Sequence, residues 1–68
     1  MKISEFIKAK RNNLGLTQII LAEKAGVGLR FVRDLEQGKS TLRLDKVNQI
    51  LDLFGSEVGV IRKEVNNE

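Results

Sequence analysis

Apolar positions recur at helical spacing in four stretches of this chain, and a glycine stands beyond each one. Ile3, Phe6 and Ile7, with Lys10 one turn on, form the first stripe. It predicts a helix that begins near Ser4, a suitable N-cap, and frays at Asn12 and Asn13 before Gly15. Thr17 caps a second segment of about two turns, in which Leu21, Ala22 and Ala25 share one face and Gly26 ends the helix in the left-handed conformation. Gly28 then opens a third helix as an N-cap that leaves the first backbone N–H groups open; Val32 and Leu35 point inward, and the helix runs to Gln37 and stops at Gly38. After the polar loop KSTLR, the residues Leu44, Val47, Ile50, Leu51 and Phe54 predict a fourth helix. Asp45 complements its positive end, and Gly55 closes it.

Past Gly55 the period changes. Val58, Val60 and Ile61 form a β-prone run too short to stand alone. The pattern predicts either a strand paired antiparallel with the same strand of a second copy across a two-fold axis, or an irregular tail lying on the fourth helix. The expected organisation is therefore a helical unit over residues 1–55, a C-terminal strand over 56–64 that serves dimerisation, and a frayed tail over 65–68.

Composition narrows the chemistry. A chain of 68 residues buries only about 60% of the surface that its unfolded form exposes, so its core is thin. It has no cysteine and no histidine, which removes disulfides, structural zinc, thiolate nucleophiles and the commonest general base together. The remaining remedy for a small core is a second subunit. The sequence leads us to expect no metal, no cofactor and no small-molecule ligand. An enzyme is disfavoured, since Asp45 and Asp52 lie two helical turns apart and form no buried pair. With no apolar run long enough for a membrane span, the expected location is the cytoplasm. The net charge of +3 conceals an asymmetry: residues 1–43 carry nine cations against four anions, whereas residues 44–68 carry three against five. One end of the domain suits a polyanion.

Two short helices around a tight turn, with Ala22 small enough for close approach, Gly26 in the turn and Val27, Val32 and Leu35 in the wedge beneath, meet the packing requirements of a helix-turn-helix. Such a wedge projects the second helix outward as a rod that fits a DNA major groove. At this point the sequence resembles the Cro and lambda-repressor (Xre) family of regulators. The stretch RNNLGLTQIILAEKAGVGLRFVRDLEQGK carries that resemblance, which extends over residues 3–55. It implies an all-α, compact four-helix, lambda-repressor-like DNA-binding domain, followed here by the C-terminal strand. Within it, GVGLRFVRDLEQGKSTLRLDKVNQIL with its β-prone tail looks like the HipB-type antitoxins, which repress their own operon and hold a HipA-type kinase toxin inactive.

The resemblance assigns roles. Thr17 and Gln18 would sit beside a phosphate at the start of the second helix. Gly28, Leu29, Arg30 and Arg33 would form the outer side of the recognition helix, with the arginines suited to the O6 and N7 acceptors of guanine and Leu29 to a thymine methyl. Lys39, Ser40, Thr41 and Arg43 would touch backbone phosphate. Arg11 and Glu36 would form a partly buried structural ion pair joining the first helix to the end of the third. Phe31 is expected to pack under the loop, the alternative being that it presses against the sugar-phosphate backbone. Ile19 and Ile20 stand where relatives are usually polar, and at most one fits the core stripe; with Val58, Val60 and Ile61 they are the candidate dimer or partner surface.

The functional expectation is a sequence-specific repressor that binds double-stranded DNA at a palindromic operator as a homodimer. Its finer form is an autoregulating antitoxin. The alternatives are a protein-binding module whose main role is to hold a partner enzyme, and a restriction-modification or phage controller. Reading of single-stranded RNA is disfavoured, since three phenylalanines at mostly core spacing make no stacking platform.

Overall fold

A computed structural model of the chain describes residues 2–39 and 41–59. Along them run α1 (Ile3–Asn13), α2 (Gln18–Ala25), α3 (Leu29–Glu36) and α4 (Leu44–Asp52), with no strand among the described residues. Each helix contributes one side chain that is wholly buried: Ile7, Leu21, Val32 and Ile50. Ala22, Leu35, Val47 and Leu51 complete the buried core. α3 packs against both α1 and α2, and α2 is backed by α4.

The core is small enough for each member to matter. Full burial of one such aliphatic side chain stabilises by about 1.5–3 kcal/mol. A chain of 68 residues has a total stability on the order of 3–10 kcal/mol. One side chain therefore accounts for a large share of the margin.

All four helices end in the same way. Gly15, Gly26, Gly38 and Gly55 take positive φ, and the next residue's N–H donates to the carbonyl five residues back: Leu16 to Arg11, Val27 to Ala22, Lys39 to Asp34 and Ser56 to Leu51, at 2.9–3.1 Å. This geometry reverses the chain within two residues, and at Gly26 it sets the angle between α2 and α3. α2 starts as expected, with Thr17 Oγ1 accepting the Ile20 N–H at 3.1 Å.

Several expectations need correction. Ser4 is not the N-cap of α1. Lys2 occupies that position, and Ser4 lies half-buried in the first turn, because the Glu5 carboxylate accepts the Lys2 N–H at 3.2 Å and so draws Ile3 into the helix. α3 ends at Glu36, one residue early, with Gln37 as its C-cap. Leu44 opens α4 exposed, away from the core stripe. The expectation that at most one of Ile19 and Ile20 fits the core stripe is met, since neither joins the core and they are 53% and 38% exposed.

Val58 is not in a strand. Its side chain packs on the core, and its N–H donates to Asn48 Oδ1 at 2.8 Å. That donor is unavailable to a neighbouring strand, so the alternative of an irregular segment lying on the fourth helix describes residues 56–59. Val60, Ile61 and the 65–68 tail lie outside the described residues.

The two glycines around Val27 differ in what the fold asks of them. Gly26 has φ +74°, where any other residue is strained by about 1–2 kcal/mol. Gly28 has φ −75° and open space where a Cβ would point. We therefore expect Gly26→Ala to lower the thermal midpoint by roughly 5–15 °C. Gly28→Ser, which adds a favourable N-cap, should leave the midpoint unchanged or raise it slightly. Circular dichroism melts check both, and equal losses at the two positions would contradict the turn geometry.

Candidate nucleic-acid interface

α3 is strongly two-sided. Val32 and Leu35 are buried and Phe31 is half-buried against the core, while Arg30, Arg33 and Gln37 are exposed along the opposite stripe. Arg30 and Arg33 lie one turn apart with no carboxylate partner among the described residues. Leu29 sits on the boundary of that stripe: it is half-buried and packs against the core, so only part of its surface remains free.

The end of α3 is pinned. Arg11 Nε and Nη2 donate to Glu36 Oε2 and Oε1 at 2.7 and 3.0 Å, and Arg11 Nη1 donates to the Leu16 carbonyl at 2.9 Å. Gln18 Nε2 donates to the same Glu36 Oε1 at 3.1 Å. The two charged side chains are only 12% and 4% exposed. The hydrogen bonds from Arg11 to Glu36 raise the guanidinium pKa above its ordinary value, outweighing burial, which acts the other way. The expected ion pair is therefore present, and Gln18 belongs to it. One of its amide hydrogens is committed to Glu36, which leaves the other for an external acceptor.

The N-termini of α2 and α3 carry no acidic residue in their first turns, so their positive ends lack an internal counter-charge. Thr17 and Gly28, at the two caps, are exposed. In the loop after α3, Thr41 is exposed and Lys39 Nζ lies 3.6 Å from Asp34; Ser40 is outside the described residues. Arg43 donates to Asp45 through Nε at 3.2 Å and Nη2 at 2.8 Å. These bonds hold the Asp45 carboxyl below its usual range.

Three polar residues that sequence reasoning passed over help to position these elements. Gln49 of α4 donates to the Ala25 carbonyl at 3.2 Å, finishing the end of α2 beside the turn. Phe31 packs half-buried against the core, and the Lys46 ammonium lies 6.0 Å from the centre of its ring. Gln37 follows Arg30 and Arg33 at i, i+3, i+7 spacing, a signal that was present in the sequence. Among the described residues, no helix is long and apolar enough to cross a membrane, and no group of three potential metal ligands comes together.

The chain matches the protein family described as helix-turn-helix over residues 7–61. It is 41% identical over 59 residues, covering 87% of this chain and 78% of the relative, to a Sinorhizobium fredii protein named "Uncharacterized HTH-type transcriptional regulator y4mF". The narrower likeness to HipB-type antitoxins rests on the wording of residues 26–51 and their tail alone.

A fully buried ion pair that loses one partner costs about 3–5 kcal/mol, and this partly buried pair should cost less, on the order of 1–3 kcal/mol. Arg11→Met or Glu36→Gln should therefore lower the thermal midpoint by roughly 5–15 °C. Gln18→Ala should cost much less, and the double change Arg11→Met with Glu36→Leu should recover most of the loss. A Glu36→Gln chain that melts like the parent would remove the pinning role.

Proposed function

The chain belongs to the Xre-type helix-turn-helix family, and from that premise we propose that it is a sequence-specific DNA-binding transcriptional repressor that places α3 in the major groove. The observation that carries this reading is the pair of exposed arginines, Arg30 and Arg33, which have no carboxylate partner among the described residues, on the outer face of a helix whose inner face and end are both fixed. Each guanidinium fork suits the O6 and N7 acceptors of a guanine. The free part of Leu29 suits a thymine methyl. Thr17, Gly28, Lys39, Ser40, Thr41, Arg43 and the spare hydrogen of Gln18 would contact phosphate, supplying affinity and register without reading sequence.

Two copies related by a two-fold axis would place their α3 helices about 34 Å apart on a palindromic operator. A second subunit is supported by the thin core and by exposed apolar side chains at Ile3, Ile19, Ile20 and Leu44. The regulatory setting we propose is that of an autoregulating antitoxin of a HipA-type kinase toxin, on the strength of the sequence likeness and of Ile19 and Ile20 as apolar contacts for a partner. Those two side chains also favour a second reading, in which holding a partner enzyme is the main act and DNA binding is secondary.

The test is the double substitution Arg30→Ala, Arg33→Ala, measured on duplex DNA from upstream of the chain's own reading frame. Two guanine contacts at about 1–3 kcal/mol each predict at least roughly 30-fold weaker binding. The thermal midpoint should be unchanged, since both side chains lie outside the core. Affinity within a few-fold of the parent's would overturn the recognition-helix assignment. Light scattering should give twice the chain mass, and a monomer at micromolar concentration would refute the two-fold arrangement.

A further inference from the structure

Resting on the reading that the loop after α3 faces phosphate, we propose that Asp45 sets the DNA affinity of this chain by competing with phosphate for Arg43. The geometry is that of a carboxylate occupying an anion's place. Arg43, the N-cap of α4, folds back two residues and presents Nε and Nη2 side by side to the two carboxylate oxygens at 3.2 and 2.8 Å. This parallel fork is the arrangement a guanidinium offers a phosphate.

The pair has no assembly role. It spans only two residues, joins no two helices, and its side chains are 71% and 60% exposed. Exposed ion pairs of this kind contribute little net stability and yield readily to a competing anion. Arg11 and Glu36 make the contrast, being 25 residues apart, nearly buried and tied to two further groups.

The cations around α3 fall into two sets. Arg30 and Arg33, on the base-reading face, have no carboxylate partner among the described residues. Arg43 and, more loosely, Lys39, in the loop assigned to phosphate, each have one. For Arg43 to turn its Nε and Nη2 edge to a phosphate, Asp45 must surrender both hydrogen bonds; if the phosphate takes the remaining donors, the carboxylate stays on the same guanidinium and offsets its charge. The internal acid therefore lowers the phosphate-derived part of the affinity and leaves base contacts untouched.

A double-mutant cycle on the full chain tests this, with fluorescence anisotropy on the same upstream duplex from about 50 to about 200 mM salt. Asp45→Asn should tighten binding by roughly 3- to 10-fold and steepen the salt slope by about one. Arg43→Gln should weaken binding, and in that background Asp45→Asn should change affinity by less than about twofold, since its target is gone. Equal tightening in both backgrounds would show a carboxylate acting as a free repelling charge and would overturn the proposal, as would no change on Asp45→Asn alone. A melt of Asp45→Asn within a few degrees of the parent excludes an effect through α4. A parent chain that binds no duplex at any salt overturns the DNA reading itself, and this inference with it.

Discussion

The cluster of Arg11, Glu36 and Gln18 is the constraint on which the rest of the molecule depends. α3 is eight residues long, and its two fully engaged core residues, Val32 and Leu35, fix which side faces inward. Two aliphatic contacts are tolerant of sliding and small rotations, since dispersion is non-directional. Hydrogen bonds are not. The guanidinium of Arg11 holds Glu36 with two parallel bonds, and a third bond from Gln18 enters from the start of α2. α1, α2 and the last residue of α3 are thereby locked to one another at a single carboxylate.

That carboxylate is 4% exposed, and an ion so buried is costly unless its oxygens are satisfied. Three donors on two oxygens meet that condition. The stability gained is modest, because the pair's attraction largely repays its own desolvation. What the cluster supplies is orientation: the outer stripe of Arg30, Arg33 and Gln37 is aimed by a joint at the helix end that admits little tilt. If α3 enters a groove about 12 Å wide, as proposed above, this precision serves it more than another kilocalorie of burial would.

Much of this was legible in the sequence, for physical reasons that differ by element. α3 was readable because Val32 and Leu35 against Arg30 and Arg33 leave one inward solution for a helix. The helix ends were readable because left-handed caps select glycine, and four glycines mark them. The ion pair between Arg11 and Glu36 was reached only through the family resemblance, since nothing in local periodicity joins residues 25 apart. The bond from Gln18 to Glu36 was not legible, because position alone cannot reveal that a carboxylate stands within 3.1 Å of its amide. Local preference pointed the wrong way at Ser4, and at Val58 it favoured the strand over the irregular segment that is found. Serine favours N-caps and valine favours strands, but Glu5 took the Lys2 N–H and Asn48 took that of Val58. In both cases a side-chain acceptor outside the local pattern decided the outcome.

The exposed isoleucines of α2 show how an apolar surface can be offered without becoming a general liability. Neighbouring residues on a helix point about 100° apart, so Ile19 and Ile20 face different directions and do not merge into one patch. One turn on, Glu23 lies beside Ile19 and Lys24 beside Ile20, both charged and exposed. Each isoleucine is thus a separate apolar spot bounded by a charge of opposite sign to its neighbour's. A flat surface approaching at random covers one spot and desolvates one charge, which gains little. The two isoleucines thus add nothing to the buried core while each stands next to a charged side chain.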